Sequence, residues 1–459
     1  MQNKLLVVFP DGVGIRNYLY PKVFDAAKDD LVLFHNFDPE TIDLLRQFRP
    51  IGNDVLIPDY RESVREKYLR ELICLSRLYF NARITNNSTI LTYWNWKQKT
   101  FSKRVFYKMV EWAARRVNNY NQILKLEDQY QKAIRQNPFY RSVKSILEET
   151  APAKVFCSHQ RGLKVATIFA AATDLGIPTS TVIYSWDNLP KARMAVRSDQ
   201  YLVWSQYMKD ELQQYYPEIR ETQIAVTGTP QFEFYADNNN LIEKAVFFER
   251  FGLDNTKKII CYSGDDEKTS PDDPNYLSDI AEALVHSGLE NEYQILFRRC
   301  PVDFSDRFDT VLAQFGQLIK VAPPAWYFKK SAGWTTAFPS YEDVKLLAST
   351  AFYADVVINV GSTMAFDFAM YDKPCVFVNY DQIHKTDPDY SMDTIYKFQH
   401  FRSMENKKAV FWLNAKEVIV PTIQSALSST ENPAMEAWKS KVLGDYQNAS
   451  QNIRKALLG

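Results

Sequence analysis

The stretch Ala354-Asp355-Val356-Val357-Ile358-Asn359-Val360-Gly361-Ser362-Thr363-Met364-Ala365-Phe366-Asp367 decides the fold. Residues 355–360 form an apolar run of strand length that breaks at Gly361 and two hydroxyl residues. Residues 365–371 then read as a helix, and 374–379 as the next strand. A buried strand passing through glycine into a helix is the start of a βα unit, the building block of a parallel sheet. The first turn of such a helix leaves N–H groups unpaired and carries a partial positive charge. Gly361 lets a ligand approach the backbone, and Ser362 and Thr363 add donors, an arrangement that suits a diphosphate. Asp367, one turn further on, is placed to accept from ribose hydroxyls. An ordinary helix cap, with Asp367 as a solvated first-turn carboxylate, is the competing reading.

The same alternation extends in both directions. Residues 258–262 form a strand ending at Ser263-Gly264. Leu277, Ile280, Ala281, Leu284 and Val285 give a helix with one apolar face. Strands follow at 293–297 and 318–321, and Ser340 caps a helix containing Val344, Leu347 and Ala348. The first half has strand runs at 5–9, 31–34, 54–57, 154–157, 179–184, 200–204 and 223–226. Residues 61–80, 102–149 and 163–173 read as helical. The polar run Ala236-Asp237-Asn238-Asn239-Asn240 is the linker candidate. These signals predict an α/β protein of two tandem Rossmann-like, doubly wound domains facing across a cleft. The boundaries read as 1–235 with a helical insertion over about 61–150, 241–435, and a terminal helix over 436–459. Ligands of such sheets bind outside the carboxyl ends of the strands, where the strand order reverses.

Strand ends therefore supply the candidate residues. Ser263 and Gly264 are placed to meet the far side of a phosphate, although a plain β–α turn reads equally well. The acidic run Asp265-Asp266-Glu267 sits awkwardly beside an anion. Arg298 and Arg299 offer guanidinium forks to phosphate or a base edge, or are solvated strand-end charges. In the first half, Asp11-Gly12-Val13-Gly14 lacks the third glycine of a dinucleotide fingerprint, since position 17 is Asn17. Gly12 and Gly14 suit a flexible loop beneath an acceptor, with Asp11 as a general base. His159, in Ser158-His159-Gln160-Arg161-Gly162, suits proton transfer near neutral pH or a structural hydrogen bond. Trp186 and Asn188, in Ser185-Trp186-Asp187-Asn188-Leu189, suit sugar binding or lock the loop. The order of candidate bases is Asp11, His159, Asp187.

Composition narrows the function classes. In 459 residues, 55 Lys and Arg balance 55 Asp and Glu, so the basic excess of a dedicated nucleic-acid binder is missing. Hydrophobic residues at 46% exclude a mostly disordered chain. The five cysteines are scattered, and no spacing suggests a metal site. No apolar run reaches the roughly 18–20 residues that span a bilayer, and the first residues lack the pattern of a signal peptide. A cytoplasmic protein is the expectation. Residues 92–104 interleave Tyr93, Trp94, Trp96 and Phe101 with Lys97, Lys99, Lys103 and Arg104. That stretch suits peripheral contact with anionic headgroups on the inner face of the membrane, or is a packing loop with solvated lysines.

Several segments carry a family resemblance. Tyr184-Ser185-Trp186-Asp187-Asn188-Leu189, then residues 198–205, then Ile224-Ala225-Val226-Thr227-Gly228-Thr229-Pro230-Gln231-Phe232 resemble the strand–loop signatures of GT-B-type glycosyltransferases that build bacterial surface polysaccharides. Residues 354–363 with Asp372-Lys373-Pro374-Cys375-Val376 are similar to the nucleotide-sugar half, which the CDP-glycerol glycerophosphotransferases of teichoic acid synthesis share. The resemblance spans roughly 150–380. It implies a nucleotide-sugar donor held by the second domain through Gly361, Ser362 and Thr363. It also implies a glycan or lipid-linked acceptor on the first domain, no metal and no further cofactor. One departure stands out. The polymerising phosphotransferases carry His-Pro after the strand corresponding to 293–297, where this chain reads Arg298-Arg299-Cys300-Pro301. Sugar transfer is therefore the leading expectation. Alditol-phosphate transfer, nucleotide-sugar epimerisation and a non-catalytic glycan-binding role are the alternatives.

Overall fold

The computed structural model describes residues 4–12, 14–27, 30–48, 51–328 and 337–458. Its first sheet has seven strands: β1 (Leu5–Phe9), β2 (Leu31–His35), β3 (Asn53–Leu56), β4 (Lys154–Cys157), β5 (Thr179–Val182), β6 (Gln200–Val203) and β7 (Ile224–Val226). All pair in parallel, in the order β3-β2-β1-β4-β5-β6-β7. The five residues of β1, Leu-Leu-Val-Val-Phe, are all buried, as expected of a strand covered on both faces.

The second sheet begins with β8 (Lys258–Ser263), β9 (Tyr293–Arg298) and β10 (Ile319–Val321). A small antiparallel pair, β11 (Trp326–Tyr327) and β12 (Phe338–Pro339), follows. The sheet is completed by β13 (Val356–Asn359), β14 (Cys375–Val378) and β15 (Phe411–Leu413), giving the parallel order β10-β9-β8-β13-β14-β15. Each sheet thus reverses its strand order once, between β1 and β4 and between β8 and β13. Those two crevices are where such a fold places its ligands.

Between β3 and β4 the chain leaves the sheet for four helices, Val64–Ile84, Phe101–Ala114, Tyr120–Ile134 and Pro138–Thr150. The continuous helical reading over 102–149 is corrected here. Asn119 and Asn137 interrupt it, and their side chains cap the next helices by accepting from Gln122 N (3.1 Å) and Phe139 N (3.0 Å). Arg77, wholly buried, fastens the first of these helices to the Gln206–Tyr215 helix and the loop after it by donating to Tyr215 O (3.1 Å) and Glu218 (2.9 Å).

The tail is two helices, not one: Pro433–Leu443 and Ala449–Leu458. The second returns to the first sheet, where Ile453 and Leu457 join the core containing Leu5 and Val7. The two halves touch directly through their loops and helices. Tyr20 Oη donates to Pro339 O (2.9 Å), Tyr235 Oη donates to Asp367, and Asn87 donates to Lys397 O (3.1 Å). Trp186 from the first half is only 2% exposed and lies edge-on to Phe366, His400, Phe401 and Trp438.

Candidate functional site

The reversal between β1 and β4 sets the loops after these strands side by side. Asp11 and His159 come from those loops, 148 positions apart in sequence, and they meet: His159 Nδ1 lies 2.6 Å from Asp11 Oδ2. Both side chains are largely buried. An ionised Asp11 accepts from Nδ1–H, which fixes the ring tautomer and leaves Nε2 as the basic atom. Among the described residues, His159 Nε2 has no hydrogen-bond partner. The Tyr184 ring packs 5.0 Å from the imidazole. Two residues read separately as candidate bases thus form one carboxylate–imidazole pair.

Around this pair, the remaining first-half candidates prove structural. Gly12 lies beneath the second half, and a Cβ there would stand 2.2 Å from Ala337 O. Gly14 packs against Ser158. Neither forms a flexible loop under an acceptor. Trp186 is not a sugar platform, because its ring is enclosed by the aromatic cluster described above. Asn188 is buried, accepting from Gln160 (3.2 Å) and donating to Asp187 (2.9 Å). Burial pushes the Asp187 carboxyl up, but Lys191, His400 and hydrogen bonds from Lys191 and Ser185 outweigh it and hold the group well below the carboxylate range. Such an ion-paired carboxylate is a poor general base.

The second crevice, between β8 and β13, carries the glycine and hydroxyl residues. Gly361 has φ +65°, and a Cβ there would meet Phe401 at 2.8 Å, so only glycine fits. Ser362 is half-buried and Thr363 exposed, so this corner is open. The helix that follows, Met364–Ala369, has six residues instead of the expected seven from 365 to 371. Some of its leading amides are already engaged: Ser362 N donates to Asn359 (2.8 Å) and Met364 N to Ser362 Oγ (3.4 Å). Opposite lie Ser263 and Gly264, both buried, with Gly264 N donating to Arg298 O (3.0 Å).

Asp367 does not stand ready for a ribose. It is buried and accepts from Tyr235 across the junction. Burial raises its carboxyl, while the Tyr235 hydrogen bond, Arg16 and Arg298 oppose that rise. Arg298 is buried, its Nη2 donating to both carboxylate oxygens of Asp343 (3.0 Å each) while Nη1 has no partner among the described residues. Arg299 turns away, donating to Ser305 O. Burial, with Asp273 and Asp266 nearby, pushes the Asp265 carboxyl up to about 7, so the acidic run is less anionic than its composition suggests. Among the described residues, no group of three or more His, Cys, Asp or Glu side chains is arranged to hold a metal.

Sequence reasoning missed Arg16. It follows β1 by seven residues, in no recognisable motif, and donates to Gln231 (2.9 Å). Its charge acts on Tyr184, Tyr235 and Asp367. One cation from each half, Arg16 and Arg298, therefore flanks the junction at Asp367. Residues 92–104 also differ from expectation. Trp94 is buried and donates to Glu111 (3.5 Å), and the Tyr93 hydroxyl is buried too. Trp96 and Phe101 of this stretch are exposed, and from Phe101 the exposed apolar face runs on along the next helix through Val105, Met109 and Trp112.

Two facing parallel sheets, each with a polar crevice at its reversal, define a GT-B-like, Rossmann-type α/β protein. Residues 181–409, just under half of the chain, match the family model described as CDP-Glycerol:Poly(glycerophosphate) glycerophosphotransferase. No curated protein matches the chain significantly. Among solved structures, UDP-GlcNAc 2-epimerase from Methanocaldococcus jannaschii superposes with a TM-score of 0.54 at 12% identity, covering 99% of this chain and 100% of that one. A glycosyltransferase from Rickettsia africae gives 0.53 at 12% identity, covering 100% and 99%. UDP-GlcNAc 2-epimerase from Neisseria meningitidis bound to UDP-GlcNAc gives 0.51 at 11% identity, covering 99% of both chains. At these identities the likeness is one of fold.

Proposed function

We propose that this protein transfers a glycosyl group from a nucleotide-activated donor to a hydroxyl of a glycan or lipid-linked acceptor. The observation that carries this reading is the Asp11–His159 pair at the β1/β4 crevice. An acceptor hydroxyl presented to His159 Nε2 gives up its proton as its oxygen bonds the anomeric carbon, and Asp11 stabilises the imidazolium that results. The bond from that carbon to the donor phosphate breaks, and the nucleoside diphosphate departs with the electron pair. Direct attack of this kind inverts the anomeric centre. The negative charge on the leaving group falls to Ser362, Thr363, Arg16 and Arg298. Each well-placed donor to such charge is worth about 3 kcal/mol in the transition state.

Alditol-phosphate transfer is the second reading, favoured by the family match. Against it stands the stretch Arg298-Arg299-Cys300-Pro301, which holds no histidine where the resemblance leads one to expect His-Pro. Product analysis with UDP-GlcNAc and CDP-glycerol separates the two, and an epimerase would act on the first without any acceptor. Glycosyl product from a nucleotide-sugar supports the proposal, and glycerophosphate product or acceptor-independent epimerisation contradicts it.

We also propose that the Phe101–Ala114 helix rests on an anionic bilayer at the inner membrane face. Phe101 (79% exposed), Met109 (52%) and Trp112 (61%) fall along one stripe. Over residues 99–116, six Lys and Arg stand against Glu111 alone, and Glu111 is buried. An apolar stripe flanked by cations is the pattern of a helix lying in the interface, each cation adding about 1 kcal/mol near an anionic surface. Among the described residues, no helix is long and apolar enough to cross a membrane. Sedimentation with phosphatidylglycerol vesicles, lost in high salt and with phosphatidylcholine alone, is the expected result. Equal binding to both lipids contradicts it.

A further inference from the structure

We infer that Asp343 is a positioning residue: it seats the β11/β12 pair of the second half against the loop that carries Asp11, and so holds the proposed base in register with the donor crevice. This inference rests on the transferase reading above. Asp343 lies in the first turn of the Tyr341–Tyr353 helix and is only 2% exposed. Its carboxylate accepts from Arg298 Nη2 at the end of β9 (3.0 Å to each oxygen), from Ala325 N (2.8 Å) and from Trp326 Nε1 in β11 (2.9 Å). Ser340, which caps the same helix, donates its hydroxyl to Ala325 O (2.7 Å). A buried carboxylate is tolerable only when paired and hydrogen-bonded, and charge-assisted bonds of this kind are the strong ones. The end of β9 and the start of β11 are therefore fixed to one point.

From that point the strand pair reaches into the first half. Trp326 and Tyr327 pair with Pro339 and Phe338. Pro339 O accepts from Tyr20 Oη (2.9 Å), and the buried Phe338 ring packs 6.2 Å from Phe37. Ala337, next to Phe338 in the chain, lies against Gly12 with no room for a side chain between them. Gly12 follows Asp11 directly, and its carbonyl accepts from Ile15 N (3.2 Å). The backbone of the Asp11 loop is thus clamped between its own half and the β11/β12 pair.

Asp11 Oδ2 stands 2.6 Å from His159 Nδ1, so the pair depends on where that loop is held. A displacement of about 1 Å in catalytic geometry costs about 10²-fold in rate. Asp343 acts on the pair through the β11/β12 strands and Gly12. The same carboxylate orients Arg298, to which part of the leaving-group charge falls. One buried residue therefore sets a donor-side cation and an acceptor-side base together.

The test is NMR of the full chain carrying isotope-labelled histidine. An imidazole proton held by a carboxylate resonates far downfield, and the His159 signal is identified by its absence in His159→Asn. Asp343→Asn keeps the side-chain shape and removes the charge. Trp326→Phe removes only the indole N–H that meets Asp343. Asp355→Asn is the control, breaking a bond from Ile259 N (2.8 Å) and a pair with Lys258 (3.0 Å) elsewhere in the same half. The expected result is a His159 signal that shifts or broadens away in Asp343→Asn and Trp326→Phe and stays in place in Asp355→Asn, with urea unfolding showing each variant folded. Transfer from UDP-GlcNAc should fall about 10²-fold in Asp343→Asn. A signal unmoved in folded Asp343→Asn, or lost equally in Asp355→Asn, overturns the inference. Should Asp343→Asn not fold, an unmoved signal in Trp326→Phe overturns it instead. Absence of the downfield signal in the unaltered chain overturns both this inference and the transferase reading, which stand on the same pair. The expected signals in a chain that forms no glycosyl product support the clamp and contradict the transferase reading alone.

Discussion

The two crevices of this molecule share a topology and differ in chemistry. Between β1 and β4, a carboxylate and an imidazole meet in a largely buried contact. Between β8 and β13, a left-handed glycine leads into two hydroxyl side chains in an open corner. The first arrangement is suited to moving a proton and the second to holding an anion. Strand order decides where a ligand can sit, and the residues just beyond the strand ends decide what is done to it.

The strongest way to break this comparison is to disable one crevice and measure the other. His159→Asn should lower transfer by about 10²–10⁴-fold, the usual contribution of a general base, while nucleotide affinity stays within about twofold. Calorimetry with the free nucleotide, alongside a transfer assay, checks both. Equal loss of binding and turnover would merge the two roles.

Next in size is the junction that holds the crevices face to face. Trp186→Ala empties the aromatic cluster and should cost about 3–5 kcal/mol in urea unfolding, as other buried aromatic truncations do. A loss below about 1 kcal/mol would mean the two halves do not depend on that contact.

A smaller effect sharpens the anion side. Ser362→Ala with Thr363→Ala should weaken nucleotide binding about tenfold, close to 1.4 kcal/mol, without lowering Tm. Unchanged affinity in calorimetry removes these hydroxyls from the donor site.

The smallest prediction concerns pH. Asp265 is raised by burial to about 7 in the folded protein, against about 4 for an unfolded aspartate. The native state therefore keeps this proton longer. The stability it contributes is full below about pH 4 and is lost as pH rises through 7. Asp265→Asn should flatten that part of the stability–pH curve, as seen by chemical denaturation at several pH values. It should also remove a decline in nucleotide affinity near pH 7, if the carboxylate faces the donor phosphates. An identical curve in the variant would show that Asp265 titrates normally.

Much of the fold was legible because its strands are buried on both faces and read as short apolar runs. Leu5–Phe9 and Lys154–Cys157 have the same bounds in sequence and structure. The three-helix break over 102–149 was also written in the sequence, at the asparagines that cap the new helices, but charged helical composition on either side masked it. The site was only partly legible. Asp11 and His159 each stood out at a strand end, yet their pairing depends on β1 lying beside β4, across 148 residues. Trp186 was misjudged for the opposite reason. An aromatic at a strand end looks available until another part of the chain covers it, and the covering residues, from Phe366 to Trp438, lie in the other half. Arg16 gave no signal, because its importance comes from facing Asp367 and Tyr235 across the junction.

The division of labour between the crevices is tested most directly by a crystal structure with a nucleoside diphosphate bound. The account predicts the diphosphate within hydrogen-bond reach of Ser362 or Thr363, with Arg16 or Arg298 beside it and His159 Nε2 facing the vacated sugar position. A nucleotide seated away from the β8/β13 crevice, or with its phosphates against Asp11 and His159, would contradict it.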